Sequence, residues 1–237
     1  MLRATLQTLG VHGDALEAIC AMYHHVMLAV RQAGEVGEMF EAQRGVKQGD
    51  PLSPLLFGLL IDRLEPRLRT KFPNIGARLL DTFVSLLLFA DDLVLMAESP
   101  EELQTLLDEL HLFCIEHGLT VNVRKSEALT FNLLPPLLPP TILYNNQPLP
   151  TSTSFLYLGM LIDSSKGIKD AWQRNLEKGT RASHLVSRRC NLLNIHTPST
   201  RILFFNALAA PIVNYGCEVW APLALTKINK KKTAPEP

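Results

Sequence analysis

Asp91 and Asp92 stand side by side between two apolar runs, Phe83–Ala90 and Leu93–Ala97. Neighbouring carboxylates repel one another, and a desolvated one must be neutralised by a cation. Oxygen donors on short strands, open to solvent and to substrate phosphates, suit Mg²⁺. An Asp-Asp pair also serves simply to turn a hairpin, because Asp tolerates turn backbone. A second segment with chemical capacity lies some forty residues upstream: Arg44-Gly45-Val46-Lys47-Gln48-Gly49-Asp50-Pro51-Leu52-Ser53-Pro54. Gly45 and Gly49 let the backbone approach a ligand closely, and Lys47 brings a charge for phosphate. The plain alternative is a loop followed by a proline-started helix.

The elements that must hold these residues are signposted. Residues 2–9 read as the end of a helix closed by Gly10. A second helix is predicted from Asp14, with Glu17 completing a capping box and Leu16, Ile19, Cys20 and Tyr23 on one face. Residues 26–32 and 36–43 read as strands about Gly34, and 54–68 as an apolar helix. The Asp pair is predicted at the turn between its two flanking strands. A helix then follows, capped by Ser99, with Pro100 first and Glu102 completing the box. Leu103, Leu106, Leu107, Leu110 and Cys114 recur at helical spacing, its acids are expected to face solvent, and Gly118 ends it. Residues 119–131 read as a strand, 133–140 with two Pro-Pro pairs as a linker, Asn145-Asn146 as a hairpin turn, and 155–162 as a strand. Helices are predicted over 167–193 and 199–215, and a disordered lysine-rich tail over 227–237.

Composition narrows the class. With 47% apolar residues in 237, the chain is neither disordered nor fibrous. A formal net charge of zero gives no global argument for a polyanionic partner, but the charges are segregated. From Leu79 to Val123 there are nine acids and no Lys or Arg. From Lys166 to Arg201 eight cations face only Asp170 and Glu177. The four cysteines are far apart and read as buried thiols of a reducing compartment. No apolar run approaches the roughly 20 residues that span a bilayer, so a soluble, intracellular protein without a membrane partner is expected. Lys230-Lys231-Lys232 is too short to separate nucleus from cytoplasm.

The order of these segments resembles the reverse transcriptases of non-LTR, LINE-like retrotransposons. Gln48–Pro54 resembles the family's motif B and Phe89-Ala90-Asp91-Asp92 its motif C, the catalytic hairpin of the palm. Gly118–Glu127 resembles motif D, Phe155–Gly159 motif E, and Pro211–Trp220 the segment that closes the thumb region. The resemblance implies RNA-directed DNA synthesis with Mg²⁺, for which Mn²⁺ can substitute, on an RNA template and a DNA primer. It implies that Asp91 ligates the catalytic metals with support from Asp92. Lys47, Gln48 and Gly49 would position template base and nucleotide. Lys125 would be an acid for pyrophosphate, although a surface lysine ending a strand is an equal reading. Tyr157, Leu158 and Gly159 would hold the primer end. Arg174, Lys178, Arg181, Arg188 and Arg189 would grip nucleic-acid backbone, against the reading of a solvated helix face.

The implied fold is α+β: a partial polymerase palm, with an antiparallel sheet and helices on one face, then a helical thumb-like region. Expected boundaries are 1–132 for the palm, 133–165 for the Pro-rich connection and primer-grip hairpin, 166–225 for the thumb-like part, and 226–237 for the tail. One departure stands out. The family carries a further aspartate on a strand before motif B, whereas the only aspartate between Met1 and Arg44 is Asp14, at a helix start. The expectation is therefore a chain beginning just after motif A, inactive alone and in need of the fingers and first palm strand as a partner. The other readings are a non-catalytic nucleic-acid-binding module and a pseudoenzyme scaffold.

Overall fold

The computed structural model describes residues 2–42, 45–47, 49–131, 140–168 and 171–222. The fold is α+β, in two units: Met1–Val123 with Ile142–Pro148, and Arg124–Thr141 with Leu149–Pro237. Among the described residues each strand pairs only with its sequence neighbour, so the antiparallel pairing expected of the palm takes the form of separate two-stranded hairpins, five in all. Gln48, the Arg44 end of the loop, nearly all of the 133–140 linker and the 227–237 tail lie outside the described residues.

In the first unit, α1 (Leu2–Thr8) and α2 (Gly13–Met22) close over α3 (Ser53–Ile61) around Leu6, Leu16 and Leu56. Ile19, Cys20 and Tyr23 pack on that cluster, as the spacing predicts. The predicted capping box of α2 is absent. His12 occupies the cap position without a side-chain bond, and Glu17 instead takes two bonds from Arg3, at 2.6 and 2.7 Å. The hairpin β1 (Met27–Gln32) and β2 (Glu35–Glu41) follows prediction. The helix predicted over 54–68 breaks after Ile61 and resumes as α4 (Leu64–Lys71). Pro66 explains the break, since its ring clashes with the carbonyl four residues earlier, that of Asp62.

The strand predicted over Phe83–Ala90 is divided at Ser85 into β4 (Thr82–Val84), paired with β3 (Ala77–Leu79), and β5 (Leu86–Phe89), paired with β6 (Asp92–Leu95). Gly76 passes this junction with φ +144°, and a Cβ there would lie 2.7 Å from the Val84 carbonyl carbon, so only glycine fits.

Helix α5 (Pro100–His117) starts and stops where its sequence signals stand. Ser99 accepts the Glu102 N–H at 3.2 Å, the Glu102 carboxylate reaches back to the Glu98 N–H at 3.0 Å, and Gly118 turns left-handed at φ +66°. The expectation that all its acids face solvent fails at Glu109, which is buried. Its carboxylate accepts from Arg67 at 2.5 Å and Lys71 at 2.7 Å, both on α4, and Arg67 also pairs with Glu116. The unit is completed by β7 (Leu143–Tyr144) and β8 (Gln147–Pro148), turned at Asn145-Asn146 with φ +47° and +60°. Gln104 of α5 bonds both the N–H and the carbonyl of Leu143, at 3.0 and 2.9 Å, as a neighbouring strand would.

The second unit corrects three expectations. Residues 119–131 form no strand: a 3₁₀ turn occupies Val123–Lys125, and only Ala128 pairs, bridging to Thr151. The facing segment contains Pro148 and Pro150, which lack the N–H groups a ladder needs. Residues 155–162 are two strands, β9 (Ser154–Tyr157) and β10 (Met160–Asp163), joined at Leu158-Gly159. The helix predicted over 199–215 is split into α7 (Pro198–Leu208) and α8 (Ala210–Asn214), beside Pro211. The long helix α6 (Ala171–Leu192) falls where predicted. All four cysteines are free thiols; Cys114 and Cys190 are buried, while Cys20 and Cys217 are only half-buried.

Candidate active site

The β5–β6 hairpin runs from the Leu86–Leu95 pair to the Phe89–Asp92 pair, leaving Ala90-Asp91 as a two-residue turn. Asp91 therefore lies in the turn, whereas Asp92 is the first residue of β6, a one-residue correction to the predicted placement. Ala90 carries φ +53°, the sign that tight hairpin turns demand at their first central position. Leu86 is buried at the base and the Met96 N–H bonds the Ser85 carbonyl at 2.9 Å, so the ladder is anchored at the end opposite the acids. Both carboxylates are exposed at the tip.

The donor chemistry of this tip suits Mg²⁺, but the number of donors falls short. Two adjacent carboxylates offer a partial shell for an ion that takes six oxygens, some from water and substrate phosphate. No group of three or more His, Cys, Asp or Glu able to hold a metal exists among the described residues. Two ions held by these residues alone do not fit, and no catalytic step follows from the pair by itself.

The loop carrying Lys47 and Gly49 is organised by residues that sequence reading passed over. Asp50 accepts the Leu52 N–H at 2.9 Å through its side chain, closing an Asx turn. The buried Ser53 hydroxyl donates to the Lys47 carbonyl at 2.6 Å. Tyr23, at the end of α2, brings its hydroxyl 3.0 Å from Ser53 Oγ and 3.4 Å from Asp50 Oδ2. The Lys47 ammonium lies 5.8 Å from the centre of the same tyrosine ring. One aromatic residue thus ties the loop to the Leu6–Leu16–Leu56 cluster. The spacing of Asp50 and Ser53 around Pro51 carried a signal for this, but Tyr23 read only as a core residue. Among the described residues no hydrogen bond or ion pair links the Asp91–Asp92 tip to the Lys47–Gly49 loop.

In the second unit, Tyr157 ends β9, and Leu158 and Gly159 form the turn with φ +46° and +79°. Lys125 is exposed at the end of its 3₁₀ turn. Helix α6 displays Lys178, Arg181, Arg188 and Arg189 in the open, with Arg174 half-buried. Arg174, Arg181 and Arg188 recur at seven-residue intervals, about 10.5 Å apart along the axis. Arg181 approaches Glu177 only to 4.0 Å, a contact too loose and exposed to hold it.

The fold, the acid-tipped hairpin and the preceding loop define a class. The chain belongs to the reverse transcriptase (RNA-dependent DNA polymerase) family, whose profile matches residues 4–162. Its relatives include polyproteins of retrotransposable elements and a transposon polymerase. The retrovirus-related Pol polyprotein from type-2 retrotransposable element R2DM of Drosophila melanogaster is 40% identical over 121 residues, 51% of this chain and 11% of the relative. The corresponding R2 polyprotein of Nasonia vitripennis is 42% identical over 93 residues, 39% of this chain and 9% of the relative. The probable RNA-directed DNA polymerase from transposon X-element of Drosophila melanogaster is 27% identical over 203 residues, covering 81% of this chain and 21% of the relative. The chain thus spans between about a tenth and a fifth of the length of these relatives. No described helix is long and apolar enough to cross a membrane.

Proposed function

We propose that this chain is the palm-to-thumb portion of a retroelement reverse transcriptase, binding an RNA template and DNA primer and contributing two of the carboxylates of a two-metal polymerase site. The observation that carries this reading is the exposed Asp91–Asp92 tip of an anchored hairpin, in a chain whose family is reverse transcriptase. Residues 1–132 form the partial palm, 133–165 the connection and primer-grip hairpin, and 166–225 the thumb-like part, with 226–237 as a tail. Mg²⁺ at this tip would supply Lewis-acid activation of a primer 3′-hydroxyl and charge stabilisation for a leaving pyrophosphate. Asp91 and Asp92 would hold it, with further oxygen donors beyond these two carboxylates completing the shell. Lys47, Gln48 and Gly49 shape the surface against template base and nucleotide, Lys125 is the candidate proton donor, and Tyr157, Leu158 and Gly159 support the primer end.

Because two carboxylates do not make a two-metal shell, the 237 residues bind primer–template but do not extend it. Primer extension with Mg²⁺ or Mn²⁺, with Asp91→Ala as control, tests this directly. Extension by the unaltered chain that disappears in the Asp91→Ala variant overturns the claim of inactivity alone. Binding is tested separately, through its salt dependence. Each cation facing a phosphate steepens the log–log slope by about one, so Arg188→Glu with Arg189→Glu should flatten it by about two. Binding that is absent, or indifferent to salt, overturns the nucleic-acid reading.

A further inference from the structure

The turn assigned to the primer end is held by a residue far away in sequence. The Tyr215 hydroxyl donates to the Leu158 carbonyl at 2.5 Å. Its ring lies against Gly159, where an added Cβ would stand 3.3 Å from Tyr215 Cε1. The Tyr215 carbonyl accepts two side-chain bonds, from the buried Asn175 amide of α6 at 2.8 Å and from the Trp220 indole N–H at 2.9 Å. Gly216 follows in the left-handed region at φ +66°, and a Cβ there would fall 2.3 Å from Met160 Cε of β10. Tyr215 therefore touches the turn through its side chain and α6 through its backbone.

Leu158 needs such a support. A branched, non-glycine residue at φ +46° is strained, and it persists when its surroundings hold it there. Half of Tyr215 is exposed, so apolar burial does not account for its position; the two bonded ends do. We infer that Tyr215 is a positioning residue: it sets the Leu158–Gly159 turn relative to the basic helix α6, so that primer end and duplex backbone are held in one register. The inference rests on the primer-grip reading above and adds a mechanical link between its two halves.

The test uses the full chain with an RNA template annealed to a DNA primer that carries a photoreactive thymidine analogue, either at the 3′ terminus or eight nucleotides upstream. Crosslinks are mapped by mass spectrometry. Tyr215→Phe removes one hydroxyl and keeps the ring. Its expected effect is a loss of about fivefold in terminal crosslinking to residues 154–163, the scale of one net hydrogen bond, with overall affinity and upstream crosslinks to α6 unchanged. Trp220→Phe, which removes a donor to the Tyr215 carbonyl far from the turn, should shift the same ratio in the same direction. Equal terminal crosslinking in unaltered chain and both variants overturns the positioning role while leaving the primer-grip reading intact. A parallel fall in terminal and upstream crosslinks also overturns it, since that marks general destabilisation. No terminal crosslink to residues 154–163 in the unaltered chain overturns the primer-grip reading and the inference with it.

Discussion

Replacing Glu109 by Gln should loosen the joint between α4 and α5. The Glu109 side chain is 6% exposed and its carboxylate takes Arg67 and Lys71 at 2.5 and 2.7 Å. Stripping one member from a fully buried ion pair costs about 3–5 kcal/mol. Here the stranded cations have other recourse. Arg67 keeps Glu116, and the Lys71 side chain, 48% exposed, can be rehydrated. The remaining loss is that of charge-assisted hydrogen bonds, about 1.5–3 kcal/mol. Burial pushes the Glu109 pKa up, but the Lys71 and Arg67 bonds outweigh it, so the folded carboxyl titrates below its ordinary 4.5. A depressed carboxylate contributes fully above the unfolded value and loses its contribution as pH falls through the folded one. The difference between unaltered chain and variant should therefore be whole at pH 7 and shrink only below about 4.5. Both tryptophans, Trp172 and Trp220, belong to the second unit, so their fluorescence misses this joint. Amide hydrogen exchange of Leu106 and Leu110 in α5 is the fitting assay. Unchanged protection at pH 7, or a difference persisting undiminished at pH 3, would refute the reasoning.

Three further outcomes are expected. Gly179→Ala sets a Cβ 2.1 Å from Val213 Cγ2, an overpacking that should cost about 1–3 kcal/mol by thermal or urea unfolding of the second unit. Val213→Ala in the same chain should recover most of that loss, and failure to recover would dissociate the two residues. Ser99→Ala removes the bond to the Glu102 N–H and should lower α5 stability by about 1 kcal/mol, read as faster exchange in its first turn. Asp91→Ala should leave stability within about 0.5 kcal/mol, because the side chain is exposed and holds nothing in the fold; a larger drop in the melting transition would make it a structural residue.

What could be read from the sequence followed the strength of local signals. Helix α5 was legible to the residue because cap, proline, capping-box acid and closing glycine all act within one turn of each end. The Asn145-Asn146 hairpin was legible for the same reason. Errors arose where one residue overruled a pattern. Pro66 and Pro211 divided helices that apolar periodicity ran together, and Leu158-Gly159 folded back a run that read as one strand. Glu109 was misplaced because its cations stand about forty residues away, and no local rule pairs a helix acid with them. At the site, the acids and the loop glycines announced themselves. Tyr23, which holds the loop, and Tyr215, which holds the Leu158–Gly159 turn, did not, because each works through a long-range bond.

The return of β7 and β8 to the first unit decides how this chain can be cut. Residues 124–141 belong to one unit and 142–148 to the other, so the backbone passes between them more than once. A fragment ending at Val123 would strip α5 of the Gln104–Leu143 bonds and of Tyr144, which is buried and packs its ring edge-on against His111. A fragment beginning at Arg124 would carry that pair of strands with no helix to receive it. During synthesis, α5 likewise lacks its Gln104–Leu143 bonds until the β7–β8 hairpin has been added. Expression of the acid-tipped unit by itself therefore requires residues 1–148 as the minimum.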